Sequence, residues 1–135
     1  TVITTTLAQV RLANWGTLDV SSTFRVDLYF DPPVTPTVGQ TWDSLSTYGA
    51  YWVITGAALP IAPLQFITLT LNDAYYQAAG SNYPTSFVGL TTAYIQVDTL
   101  DQVTETHELT GDGSNNVKAY PLALQVMSKG RGRPR

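Results

Sequence analysis

Between Thr23 and Asp31 the chain reads Thr-Phe-Arg-Val-Asp-Leu-Tyr-Phe-Asp, and this run constrains the fold more than any other. Phe24, Val26, Leu28 and Phe30 alternate with Arg25, Asp27 and Tyr29. Period two marks a strand with one face in a core, because successive side chains leave a pleated backbone on opposite sides. The same phase recurs from Leu7 to Ala13, Tyr51 to Thr55, Gln65 to Asn72, Thr92 to Asp98 and Val117 to Met127. It predicts a core of Val10, Leu12, Phe24, Val26, Leu28, Phe30, Ile67, Leu69, Leu71, Ile95, Val97, Leu122 and Leu124. Pro121 lacks an N–H donor, so the last strand is expected at a sheet edge or with a bulge.

No helical period separates these strands, which points to an all-β sandwich or barrel. Composition agrees. Thr occurs 20 times and Tyr 8 times, against two Lys, two Glu and one Met. The former suit a pleated, half-buried surface, and the latter build helices in water. With 135 residues, 44% of them hydrophobic, the chain can fold as one domain without staples. Two connections are long, Pro32 to Tyr48 and Asp73 to Thr91. Loops of that length usually carry function or pack over a sheet.

Several functions are excluded by what is missing. The chain has no cysteine and one histidine, His107, so thiol chemistry, zinc ribbons and multi-histidine metal sites have no ligands. No apolar run reaches the roughly 18 residues a membrane span requires. The chain begins at Thr1 without a visible signal peptide, which reads as a processed chain or an excised segment. Residues 1–128 hold all ten acidic side chains against three basic ones, and such a body repels a phosphate backbone. Nucleic acid is therefore not an expected partner. The last seven residues, 129–135, carry four basic side chains with two glycines and a proline, and read as a flexible basic tail to a domain of residues 1–128.

Several segments, taken in order, resemble one family. These are the Asn14-Trp-Gly turn, Phe24-x-Val-x-Leu-Tyr-Phe-Asp-Pro32 followed by Pro36-Thr-Val-Gly-Gln40, Tyr51-Trp-Val-Ile-Thr-Gly56, and Tyr94-Ile-Gln-Val-Asp98. The series ends with Val103-Thr-Glu-Thr-His-Glu108 leading to Asn115-Asn116. Together they resemble the CARDB domain, the cell-adhesion-related domain found in bacteria, over roughly residues 7–126. The resemblance implies a seven-stranded, immunoglobulin-like antiparallel sandwich on a secreted or cell-surface protein. The chain departs from the family in two places. Leu109 to Ser114 lengthens the loop before the two asparagines, and only six residues precede the strand at Leu7, where the family offers an extra first strand.

Three candidate sites follow. Asp98, Asp101, Glu105 and Glu108 concentrate carboxylate oxygens, which calcium takes in sets of about six to eight; the same side chains would equally cap turns around the last two strands. Trp42, Tyr75, Tyr76 and Tyr83 are flat rings suited to stacking on sugar faces, or alternatively anchors for long loops. Val2, Ile3 and Leu7 lie in an uncharged, β-branched N-terminal segment. If the first strand is missing, that segment can add to the open edge of a neighbouring copy, a head-to-tail contact that builds a filament unless its rotation closes a ring. Nothing around His107 supplies a nucleophile elbow or an orienting partner, so catalysis is not expected. The expectation is a non-catalytic structural or adhesion module that contacts other copies of itself or neighbouring domains. No cofactor is required, calcium being the one candidate; the alternatives are a carbohydrate-binding module and a calcium-stabilised spacer.

Overall fold

A computed structural model of the chain describes residues 1–4, 8–103 and 116–122. Seven strands are present among them: β1 (Val2–Ile3), β2 (Ala8–Ala13), β3 (Phe24–Phe30), β4 (Gly49–Ile54), β5 (Phe66–Thr70), β6 (Thr92–Val97) and β7 (Val117–Pro121). They form two antiparallel sheets, one in the order β1-β2-β5 and the other β4-β3-β6-β7. The architecture is an all-β antiparallel sandwich of about seven strands, one of the two arrangements, sandwich or barrel, that the strand pattern points to. The one α-helical turn described, α1 (Trp42–Leu45), lies within the long β3–β4 connection.

The core between the sheets is largely the expected one. Val10, Phe24, Val26, Leu28, Phe30, Leu69, Ile95 and Leu122 are all buried, together with Trp52 and Ile54 from β4. Ile67, Leu71 and Val97 are only partly buried against this cluster, and Leu124 falls outside the described residues. β7 is the edge of its sheet, with Pro121 opposite Thr92, as a residue without an N–H requires.

Two expectations are corrected. The first concerns the other face of β3: period two puts only one face of this strand in a core, yet Asp27 and Tyr29 on the opposite face are also fully buried. The segment 31–48 folds back over that face and puts the backbone of Gln40 and Trp42 on these two side chains. The second concerns the missing first strand. It is present in the same chain: Val2 pairs with Gln9 and Ile3 with Ala8, and Ile3 is 2% exposed in the chain's own core. Two residues suffice because the Tyr83 hydroxyl, from the long 71–91 connection, donates to the Thr4 carbonyl oxygen at 2.6 Å and pins the segment. The edge of β2 that strand donation was to fill is thus occupied within the chain; Leu7 lies outside the described residues.

Candidate interaction surface

Each expected site residue has a definite place where it is described. Asp98 sits at the end of β6 with φ +58°, a left-handed conformation that Asp tolerates. Its carboxylate accepts the N–H groups of Gln102 at 2.7 Å and Val103 at 2.9 Å, and its own carbonyl oxygen accepts that of Asp101. This is turn capping. Asp101 is exposed, and Glu105 and Glu108 lie outside the described residues. Among the described residues no three acidic or histidine side chains converge in a way that could hold a metal ion.

The four aromatic rings do not form a stacking row. Trp42 is 7% exposed, and its indole N–H donates to the Gly80 carbonyl oxygen at 3.2 Å. The ring lies on Gly49, where a Cβ would come within 2.6 Å of both the indole and the Leu28 carbonyl oxygen. Tyr76 packs on Trp52 with ring centroids 5.6 Å apart, and Tyr83 meets Phe30 edge-on at 5.4 Å. Tyr75 gives its carbonyl oxygen to the Val53 N–H. A long loop must fix its backbone groups and gain apolar contact to be ordered, and these rings supply both. Carbohydrate stacking on them would require faces that the chain itself covers.

Beneath the 31–48 segment lies a polar cluster that the alternation of β3 did not reveal. One carboxylate oxygen of Asp27 accepts Arg25 Nε at 2.6 Å and Thr99 Oγ1 at 2.7 Å. The other accepts an Arg25 terminal nitrogen at 2.9 Å and the Trp42 backbone N–H at 2.8 Å. Burial by itself lowers the pKa of the Arg25 guanidinium, but the hydrogen bond and charge of Asp27 outweigh it and hold the group above its usual value. The Tyr29 hydroxyl lies 2.7 Å from Gln96 Oε1 and against the Gln40 carbonyl oxygen. Burial, then the Asp27 charge, pushes its pKa far up. Every oxygen of the Asp27 carboxylate is occupied and covered, so the cluster offers no open ligand position. It fastens the 31–48 segment to the sheet.

An exposed apolar surface lies at one end of the sandwich, around the Asn14-Trp-Gly turn, and it adds Leu18, Leu64 and Phe66, which the alternation did not single out. Asn14, at the end of β2, donates from its side-chain amide to the carbonyl oxygens of Leu18 at 2.8 Å and Ile61 at 2.9 Å, and accepts the Gly16 N–H at 2.9 Å. Its backbone exchanges bonds with Leu64 and Gln65. Two loops are thereby locked together through one largely buried residue. On this frame stand Trp15, 77% exposed, Leu18, 78%, Leu64, 71%, and Phe66, 53%, with the Arg11 guanidinium 3.7 Å over the Phe66 ring. Leu64 has φ +69°, a left-handed conformation that costs a branched side chain about 1–2 kcal/mol. Single exposed apolar residues are ordinary, but several held together on a hydrogen-bonded frame mark an interaction surface. Turn residues have no period, which is why the alternation that located the core is blind to them.

No family model matches the chain, and no curated protein or solved structure matches it either.

Proposed function

We propose that this chain is a non-catalytic structural and adhesive module of a secreted or cell-surface protein, working through contacts with other copies of itself or with neighbouring domains. The observation that carries this reading is the apolar end around Asn14, where Trp15, Leu18 and Leu64 stand in solvent on a rigid frame. Ordering large apolar side chains in water gains nothing for the isolated fold, whereas covering them contributes about 25 cal/mol per Å². The ordered series of CARDB-like segments supports the same reading. Its elements fall on the Asn14 turn, on β3, β4 and β6 and on residues 36–40 of the β3–β4 connection, while 104–108 and Asn115 lie outside the described residues.

Light scattering on the full chain across a range of concentrations tests the proposal. Association should be present in the unaltered protein and weakened in a Trp15→Ser, Leu18→Ser variant whose thermal melting is unchanged. A monomer at every concentration, or association indifferent to both substitutions, would remove the self-contact from this reading.

A further inference from the structure

The three-stranded sheet ends at β5, and the backbone of β5 has an open side. The phase of its groups follows from their partners. Gln65 gives its carbonyl oxygen to the Asn14 N–H on the β2 side, so Gln65, Ile67 and Leu69 face β2. Phe66, Thr68 and Thr70 then face outward. Thr70 confirms the phase, for its N–H donates to the Asp73 carboxylate at 2.8 Å and its carbonyl oxygen accepts the Trp52 indole N–H at 2.8 Å. The outward N–H and C=O groups of Phe66 and Thr68 have no hydrogen-bond partner among the described residues.

The β4 edge of the other sheet is treated differently. The outer side of β4 is covered by residues 75–82: Tyr51 N–H meets Ser81 Oγ, Gln77 N–H meets the Tyr51 carbonyl oxygen, and Gly49 and Asn82 exchange both bonds. Proteins that remain single protect an open edge with a lysine, a proline or a bulge. From Leu64 to Thr70 the chain has none of the first two and no charge at all, although it carries ten acidic side chains elsewhere.

We propose that the outer edge of β5 pairs antiparallel with the same edge of a second copy, about a two-fold axis at Ile67. This rests on the reading of the chain as a self-associating structural module, and it names the surface used. In that register Phe66 stands opposite the second copy's Thr68, and Thr68 opposite its Phe66. The four open groups on each strand meet four complementary groups, with none left over. A two-fold contact presents the same patch from both sides, and only a self-complementary edge satisfies that condition. The lack of charge from Leu64 to Thr70 lets two acidic bodies meet here, and the two-fold axis keeps the two Asp73 carboxylates, each on a Thr70 N–H, at opposite ends of the contact. Phe66 and Leu64, both exposed at the start of this strand, supply apolar area at the two ends of the contact.

The test is light scattering on the full chain with Thr68→Pro and Thr68→Val. Proline deletes an outward N–H without touching the β2 ladder, and edge strands accept it on that side; valine leaves the backbone intact. Thr68→Pro should weaken dimerisation about tenfold or more while Thr68→Val leaves it unchanged. A dimer unaffected by proline overturns the edge contact; if the same dimer is lost in the Trp15, Leu18 variant, the functional reading stands without it. A monomer throughout overturns both. Should Thr68→Pro not fold, cysteine pairing decides, since the chain has no cysteine of its own. Mixing a Phe66→Cys protein with a Thr68→Cys protein should cross-link the two species preferentially, and equal or absent cross-linking overturns the register.

Discussion

The indole N–H of Trp52 donates to the Thr70 carbonyl oxygen at 2.8 Å, joining β4 of one sheet to β5 of the other. Trp52 is fully buried, and its ring also holds Tyr76 of the 71–91 connection. One side chain therefore fills the core, ties the sheets and closes one end of the β5 edge.

Trp52→Phe keeps an aromatic ring in the core but loses the donor and the pyrrole part of the indole. Leaving the partly buried Thr70 carbonyl oxygen unpaired costs about 1 kcal/mol or more, so the midpoint of chemical denaturation should fall accordingly. Trp52→Ala, which also opens a cavity, should cost about 3–5 kcal/mol. Equal midpoints for Trp52→Phe and the unaltered protein would assign the whole role of Trp52 to packing.

Asp27→Ala removes the partner of a guanidinium whose side chain is only 17% exposed, together with the acceptor for Thr99 and the Trp42 N–H. Breaking such a pair from one side costs about 3–5 kcal/mol. A cycle with Arg25→Ala should show strong coupling, because each single change strands the other group. Simple additivity of the two changes, read from denaturation curves, would contradict the network.

Alkaline pH should unfold the protein through Tyr29 and Tyr83. Burial raises both phenols above their usual value near ~10, aided by the Asp27 charge for Tyr29 and by Tyr76 for Tyr83. The unfolded chain then loses protons that the folded chain retains. The associated stability is complete below the unfolded value of about 10 and is lost as pH rises toward the folded values. Melting temperature should hold up to about pH 10 and fall above it, and Tyr83→Phe should flatten that fall. An unchanged slope in that variant would show that Tyr83 does not contribute.

Leu64→Asn should stabilise the chain, since Asn adopts a left-handed backbone far more readily than Leu. The gain is expected to be up to about 1 kcal/mol, with an accompanying loss of self-association. A lower melting temperature would mean that the exposed Leu64 side chain makes a contact worth more than its backbone strain.

Alternation by itself located six of the strands and the core positions of β2 and β3, with Leu69 of β5 and Ile95 of β6, while leaving sandwich and barrel open; the missing N–H of Pro121 put β7 at an edge or a bulge. These depend on period two and on a missing N–H, which are properties of neighbouring residues along the chain. What covers a strand's second face was not legible in that way. Asp27 and Tyr29 look solvent-facing because they alternate with Phe and Leu, and only the return of the 31–48 segment buries them. The aromatics of the long loops read as anchors or as a stacking row, and tertiary contacts with Phe30, Trp52 and Gly49 decided for anchors. The N-terminal segment looked too short for a strand. Pairing with β2 and the Tyr83 bond to Thr4, 79 positions away in sequence, make two residues enough. The exposed end around Asn14 and the open side of β5 belong to the tertiary structure alone, because whether a group lacks a partner depends on every other segment that could have reached it.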